Sequence, residues 1–229
     1  MNHKSKSQSL PVKVKTAILL FSAAALIVVT LSVMFQQEWS LGRLALFIAL
    51  AVATARKKVQ LSETSTISLL TSVVLLAVTL DGPGAAALVG ICGVIVQTIR
   101  PNKRIILHQA AFNVSMITLT VGATALVYHF IARGQGFSAD LLAMIAASVT
   151  YFFGNSVFVA IIVGLSKNTS IVRTWRNCFA NTAPSFLIGG LLSLATVQLV
   201  ANPTVLFVLV PTIFAIYSSS IRLARPQLS

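Results

Sequence analysis

The feature that most constrains this chain is a succession of apolar runs, each near the length of a membrane crossing and separated by short polar breaks. A helical crossing needs about 20 apolar residues, and shorter ones are tolerated when tilted or shielded. By that measure eight helices are expected, at about 17–35, 40–55, 64–80, 84–99, 105–131, 140–165, 179–200 and 203–221. The second and fourth are short enough to be shielded by neighbours without crossing fully. Composition agrees: 56% of the 229 residues are hydrophobic, 9% are charged, and mean hydropathy is +0.90. No soluble domain of this size could hide that much apolar surface. The expected fold is an all-α polytopic transmembrane bundle, one domain over residues 16–225 behind a Ser/Lys-rich, disordered basic tail at residues 1–15.

The net charge of +13 comes from 17 basic and 4 acidic residues. These charges lie between apolar runs rather than along one continuous basic face, which excludes nucleic acid as the natural partner. With the N-terminus inside, Lys4, Lys6, Lys13, Lys15, Arg56, Lys57, Lys58, Arg100, Lys103, Arg104, Lys167, Arg173, Arg176, Arg222 and Arg225 all fall on the inner side. Arg43 and Arg133 fall on the other side, with Glu38, Asp81 and Asp140. Such a positive-inside bias predicts a multi-pass protein of a cytoplasmic membrane with both termini cytoplasmic. The first run is too long, and lacks a cleavage pattern, for a signal peptide. Cys92 and Cys178 fall at different depths, which argues against a disulfide.

Catalytic chemistry finds no footing. The four acids Glu38, Glu63, Asp81 and Asp140 are not paired at helical spacing, and His3, His108 and His129 form no metal-ligand pattern. There is no nucleophile elbow and no phosphate-binding loop. Sequons at Asn113 and Asn168 fall in the membrane and on the cytoplasmic side, where they are chance matches. The sequence therefore predicts a non-enzyme with no metal site and no cofactor. Glu63, just after Arg56, Lys57 and Lys58, reads either as an acid favoured at a helix N-terminus or as half of a gating ion pair.

Punctuation is sharper. Asp81-Gly82-Pro83-Gly84 is a tight outer turn, followed by Ala86, Gly90 and Gly93, small residues that let helix backbones approach. Pro184 and Pro211 predict kinks, with Gly189-Gly190 softening the seventh helix further.

The remaining polar residues fall on helix faces. Gln109, Asn113, Met116, Thr120 and Thr124 share a stripe of the fifth helix; Ser148, Tyr151 and Asn155 share one of the sixth. Thr64, Ser68, Ser72 and Thr79 align in the third, after a helix start at Ser62-Glu63, and Asn181 begins the seventh. Interhelical hydrogen bonding explains single hydroxyls, which can bond their own helix. Asn113 and Asn155 differ, because a primary amide carries two donors and an acceptor. They are either glue between helices or the lining of a cavity for a small neutral or amphipathic ligand. Candidate ligand-binding residues are Ser68, Ser72, Gln109, Asn113, Thr120, Ser148, Tyr151 and Asn155. The basic inner loop with Arg173, Trp175 and Arg176 is the expected contact for a cytoplasmic partner or for membrane lipids.

An ordered set of features carries a resemblance: STISLLTSVVLLAVTLDGPGAAALVGICGVIVQTIR, then AFNVSMITLTVGATALVYHFI, then YFFGNSVFVAIIVGLSKNTSIVRTWRN. Over about residues 62–200 the chain resembles the membrane-embedded input domain of bacterial sensor proteins, which commonly precedes HD-GYP or GGDEF signalling domains. That domain is in turn similar to the S component of energy-coupling-factor vitamin transporters. The resemblance marks Ser68, Gly82, Pro83, Asn113, Tyr151, Asn155, Trp175 and Arg176, and implies a bacterial inner-membrane location and a six-helix S-component-like core. It also implies a ligand pocket between the third, fifth and sixth helices. No effector domain lies in these residues, so a sensor of this kind is expected to signal through a separate cytoplasmic protein, unless the chain is part of a longer one. The alternatives are a substrate-binding subunit of a vitamin-type uptake transporter, docked to a coupling subunit through Ala49 and Ala53 or Ala51 and Ala55, and a membrane scaffold without ligand.

Overall fold

Apolar periodicity becomes a helical bundle in the computed structural model, which describes residues 10–56, 58–62, 65–99, 106–132 and 136–201. Its helices are α1 (Val12–Met34), α2 (Leu41–Thr54), α3 (Leu69–Leu80), α4 (Pro83–Thr98), α5 (Leu107–Ile131), α6 (Phe137–Lys167), α7 (Ile171–Cys178) and α8 (Ala183–Ala201). A hairpin of β1 (Lys58–Ser62) and β2 (Ser65–Ser68) precedes α3, and a single 3-10 turn (Ala180–Thr182) joins α7 to α8.

Five helices close into a ring in which α3 packs on α4, α4 on α5, α5 on α6, α6 on α8, and α8 back on α3. Leu75, Val78, Val89, Ile117, Val121, Met144 and Leu194 fill its interior. Outside the ring, α2 lies against α3 and α4, while α1 lies mainly along α5. A second apolar cluster of Val14, Ile18, Phe112 and Met116 seals α1 to α5. Leu19, Leu20, Leu26 and Ile27 of α1 and Leu126 of α5 point outward. Such a girdle is a liability in water and an asset in hydrocarbon.

Four stretches are long and apolar enough to cross a membrane by length and composition: Val12–Met34, Leu107–Ile131, Phe137–Lys167 and Ile171–Leu199, the last including α7 and the turn. At 31 residues, α6 is about 46 Å long and exceeds the hydrocarbon thickness of about 30 Å. By contrast α2, α3 and α4, with 14, 12 and 16 residues, fall short of it.

Several expectations need correction. The third helix starts at Leu69, not near residue 64, because Lys58 to Ser68 pair antiparallel, Lys58 opposite Ser68 and Val59 opposite Ile67. Ser62 is thus in a strand and Ser68 is the N-cap of α3. The run of Ser, Thr, Val and Ile there suits a strand better than a helix start. The first helix begins at Val12 rather than near residue 17, so Lys13 and Lys15 lie on α1. Pro184 makes no kink: α8 starts at Ala183, and proline in a first turn lacks only an N–H that would have no helical partner. Asn181 belongs to the 3-10 turn rather than to the helix after it. The short α7 was not foreseen. Glu63, Pro211 and the helix expected at 203–221 lie outside the described residues.

The connections sort to two ends. The hairpin, the end of α4, the start of α5, α7 and the 3-10 turn gather at one end, called here the basic end after Arg56, Lys167, Arg173 and Arg176. The α1–α2 and α3–α4 turns, the end of α5 and the start of α6 gather at the other.

Candidate functional site: a pocket at the basic end

Every helix of the ring contributes to one pocket of about 270 Å³. Its wall includes Ser68 at the end of β2, Thr71 of α3, Gln97 of α4, Met116 and Ile117 of α5, Tyr151 and Asn155 of α6, and Ser185 and Phe186 of α8. Phe179 and Thr182, from the elbow between α7 and α8, add to it. The ring opens here because α3 and α8 begin at this end while α4 ends there, so the wall is made partly of helix termini and irregular backbone.

Three of the expected ligand residues come together: Ser68, Tyr151 and Asn155. Tyr151 and Thr71 lie near each other on this wall. The Asn155 amide is half-buried and has no hydrogen-bond partner among the described residues.

The other five lie elsewhere. Asn113 donates to Thr98 Oγ1 at 2.9 Å, binding α5 to α4. Ser148 donates to Met144 O and lies directly beneath Gly190, where a side chain on α8 would collide with it. Thr120 packs under Gly154; a Cβ there would lie 2.7 Å from Thr120 Oγ1. Both are contacts between close helices. Ser72 is buried against Gly189, and Gln109 is exposed near the start of α5. The hydroxyls of Ser72 and Thr120 are buried with no partner among the described residues.

Thr71, Gln97, Phe179, Thr182, Ser185 and Phe186 line the pocket but were not singled out in the sequence. For Thr71 the cause is phase. Extending a helical stripe from Thr64 through Ser68 selects Ser72, but the backbone is extended up to Ser68, so the face that meets the pocket is set afresh at Leu69. For Phe179 to Phe186 the cause is the elbow, which no periodicity announces.

A chain of aromatic rings links the pocket to α7. Phe186 lies 6.0 Å from Tyr151 and 5.4 Å from Phe152, centroid to centroid. Phe152 in turn is 5.9 Å from Trp175, which stacks on Phe153 at 5.7 Å and 13°. The Trp175 indole donates to Ser156 Oγ at 2.9 Å, and that hydroxyl donates back to Phe152 O. Trp175 therefore fastens α7 to α6. Arg173 and Arg176 on the same helix are exposed. The turn into α7 is fixed by Asn168, left-handed at φ 52°, and by Ser170, whose hydroxyl accepts from Arg173 N as an N-cap. On α2, Ala51 and Ala55 are packed inside the bundle, and Ala49 and Ala53 face outward.

A family model of membrane-associated sensor domains, MASE9, matches residues 39–224, most of the chain. The chain belongs to the MASE9 family. All five ring helices, the hairpin and α7 lie inside the MASE9 match; α1 lies before it. No curated protein and no solved structure matched the chain. Membership makes it a membrane-associated sensor domain, of a family that is typically non-catalytic. Among the described residues of this MASE9 domain no three His, Cys, Asp or Glu side chains gather as metal ligands would.

Proposed function

We propose that this MASE9 domain binds a small neutral molecule in the basic-end pocket and passes its occupancy to a cytoplasmic partner through α7. The observation that carries the reading is the Asn155 amide on the pocket wall, without a partner among the described residues, beside Tyr151 and Ser68. The amide is open to the pocket, so a ligand can bond both its N–H groups and its oxygen directly. The aromatic chain from Phe186 to Trp175 supports the second half of the reading, since a shift of the pocket wall moves groups in contact with α7. The basic loops support a cytoplasmic side for this end by the positive-inside rule, and the exposed Arg173 and Arg176 suit an acidic partner surface.

The test is purification of wild-type and Asn155→Leu protein from native membranes in mild detergent, followed by mass spectrometry of bound small molecules and co-purifying proteins. A compound retained by the wild type and lost from a folded Asn155→Leu variant is the expected result. Equal retention by both would remove Asn155 from the site.

A further inference from the structure

The hydrogen-bonding state of the pocket wall restricts what it can hold, given the sensor reading above. A hydroxyl carries one proton, so a hydroxyl that donates to the backbone faces its surroundings only as an acceptor. Ser185 Oγ donates to Thr182 O at 2.6 Å, and Thr182 Oγ1 donates to Phe179 O at 2.7 Å. The Gln97 amide nitrogen donates to Ala55 O at 2.7 Å, which leaves Gln97 a second N–H and its carbonyl oxygen. Ser68, Thr71 and Tyr151 add hydroxyls that can donate or accept, and among the described residues nothing occupies the donors and acceptor of Asn155. Every polar group on the wall can accept, whereas Ser185 and Thr182 have no proton left to donate, so a guest that supplies donors is the one that meets them all.

Three further properties narrow the guest. No charged side chain lines the pocket among the described residues, so an ion would be desolvated without a counter-charge. Tyr151, Phe179 and Phe186 present aromatic surface, which favours a planar ring. The volume of about 270 Å³ lies just below the usual range of about 300–1,000 Å³ for small-molecule sites, which suits one or two rings rather than an acyl chain or a dinucleotide.

We infer that the pocket selects an uncharged nitrogen heteroaromatic of one or two rings that carries N–H donors on its edge. Indole, with one N–H, and adenine, with several, are suitable probes. Benzothiophene is an isostere of indole without the N–H, and indole-3-carboxylate adds a charge.

The experiment is equilibrium dialysis of the four compounds against the full chain in nanodiscs, with protein-free nanodiscs as the reference for partition into lipid. Indole is expected to bind at least tenfold more tightly than benzothiophene, and adenine more tightly than indole, with no measurable binding of indole-3-carboxylate. Asn155→Leu is expected to reduce the preference for indole, and Ser185→Ala to reduce it less, which keeps the test open should the first variant fail to fold. Benzothiophene binding as well as indole, or the carboxylate binding best, overturns the ligand class and leaves the pocket in place. If no probe binds, the compound extracted from native membranes decides: a donor-bearing heteroaromatic sustains the class, a charged or aliphatic compound overturns the class alone, and no compound overturns both the class and the sensor reading.

Discussion

The two ends of this bundle are built on different terms. At the end opposite the pocket, one side chain ties three segments together: Gln36 accepts from Gly84 N at 3.0 Å and donates to Glu38 O at 2.8 Å and to Asp81 O. Arg43 adds an ion pair to the buried Asp81 carboxylate at 2.5 Å. Gly82 turns the chain at φ 90°, and Pro83 opens α4 behind it. At the basic end, polar groups line a space, one amide has no partner among the described residues, and the short α7 rests on α6 through Trp175 and Ile171. The first end is arranged to stay as it is. The second leaves groups whose partners can change, as a sensing surface requires.

The largest effect expected from breaking this contrast comes at the tied end. A Cβ on Gly84 would lie 2.9 Å from the backbone oxygen of Ser32, which cannot swing aside. Gly84→Leu is expected to destabilise the bundle by about 3 kcal/mol or more, read as a lower thermal midpoint in mild detergent; an unchanged midpoint would mean that α1 is free to retreat. A smaller and more local effect is expected from Trp175→Leu, which removes the ring stack and the bond to Ser156, together about 1–2 kcal/mol. Hydrogen exchange should quicken over residues 168–182 while the global midpoint barely moves. If exchange there stays slow, something other than Trp175 holds α7. The smallest effect sharpens the boundary of the site. Ser72→Ala and Thr120→Val each delete a buried hydroxyl that has no partner among the described residues, so stability should rise, by about 1 kcal/mol. Ligand retention should be unaltered, and a clear loss of binding in either variant would extend the site beyond the pocket wall.

How far the sequence could be read follows the same division. Long apolar runs and the Asp81-Gly82-Pro83-Gly84 turn announce α1, α5, α6 and the tied end, because length and glycine-proline chemistry are local signals. Asn155 and Tyr151 could be found because an amide and a phenol deep in a helix stand out against apolar neighbours. Asn113 stood out equally but proved to bind α4 through Thr98, and nothing in its own sequence distinguishes the two roles. Ser148 and Thr120 share stripes with site residues, yet the small residues facing them, Gly190 and Gly154, bring another helix where a ligand would have to be. The pocket floor at Phe179 to Phe186 depends on a turn between two short segments, which has no period to detect.

The placement of α1 carries a mechanical consequence. It lies outside the MASE9 match and outside the ring, yet it is stitched to α5 along its length. Ser22 bonds Ser115 at 2.9 Å, Phe21 meets Phe112 at 6.4 Å, and Gly122 admits Val28. With α4 and α6 on its other flanks, α5 is clamped like a beam set into masonry and cannot tilt without dragging a 23-residue helix with it. Under the proposed ligand binding, the wall that gives way lies across from it, on the side of α8 and the elbow that leads back to α7.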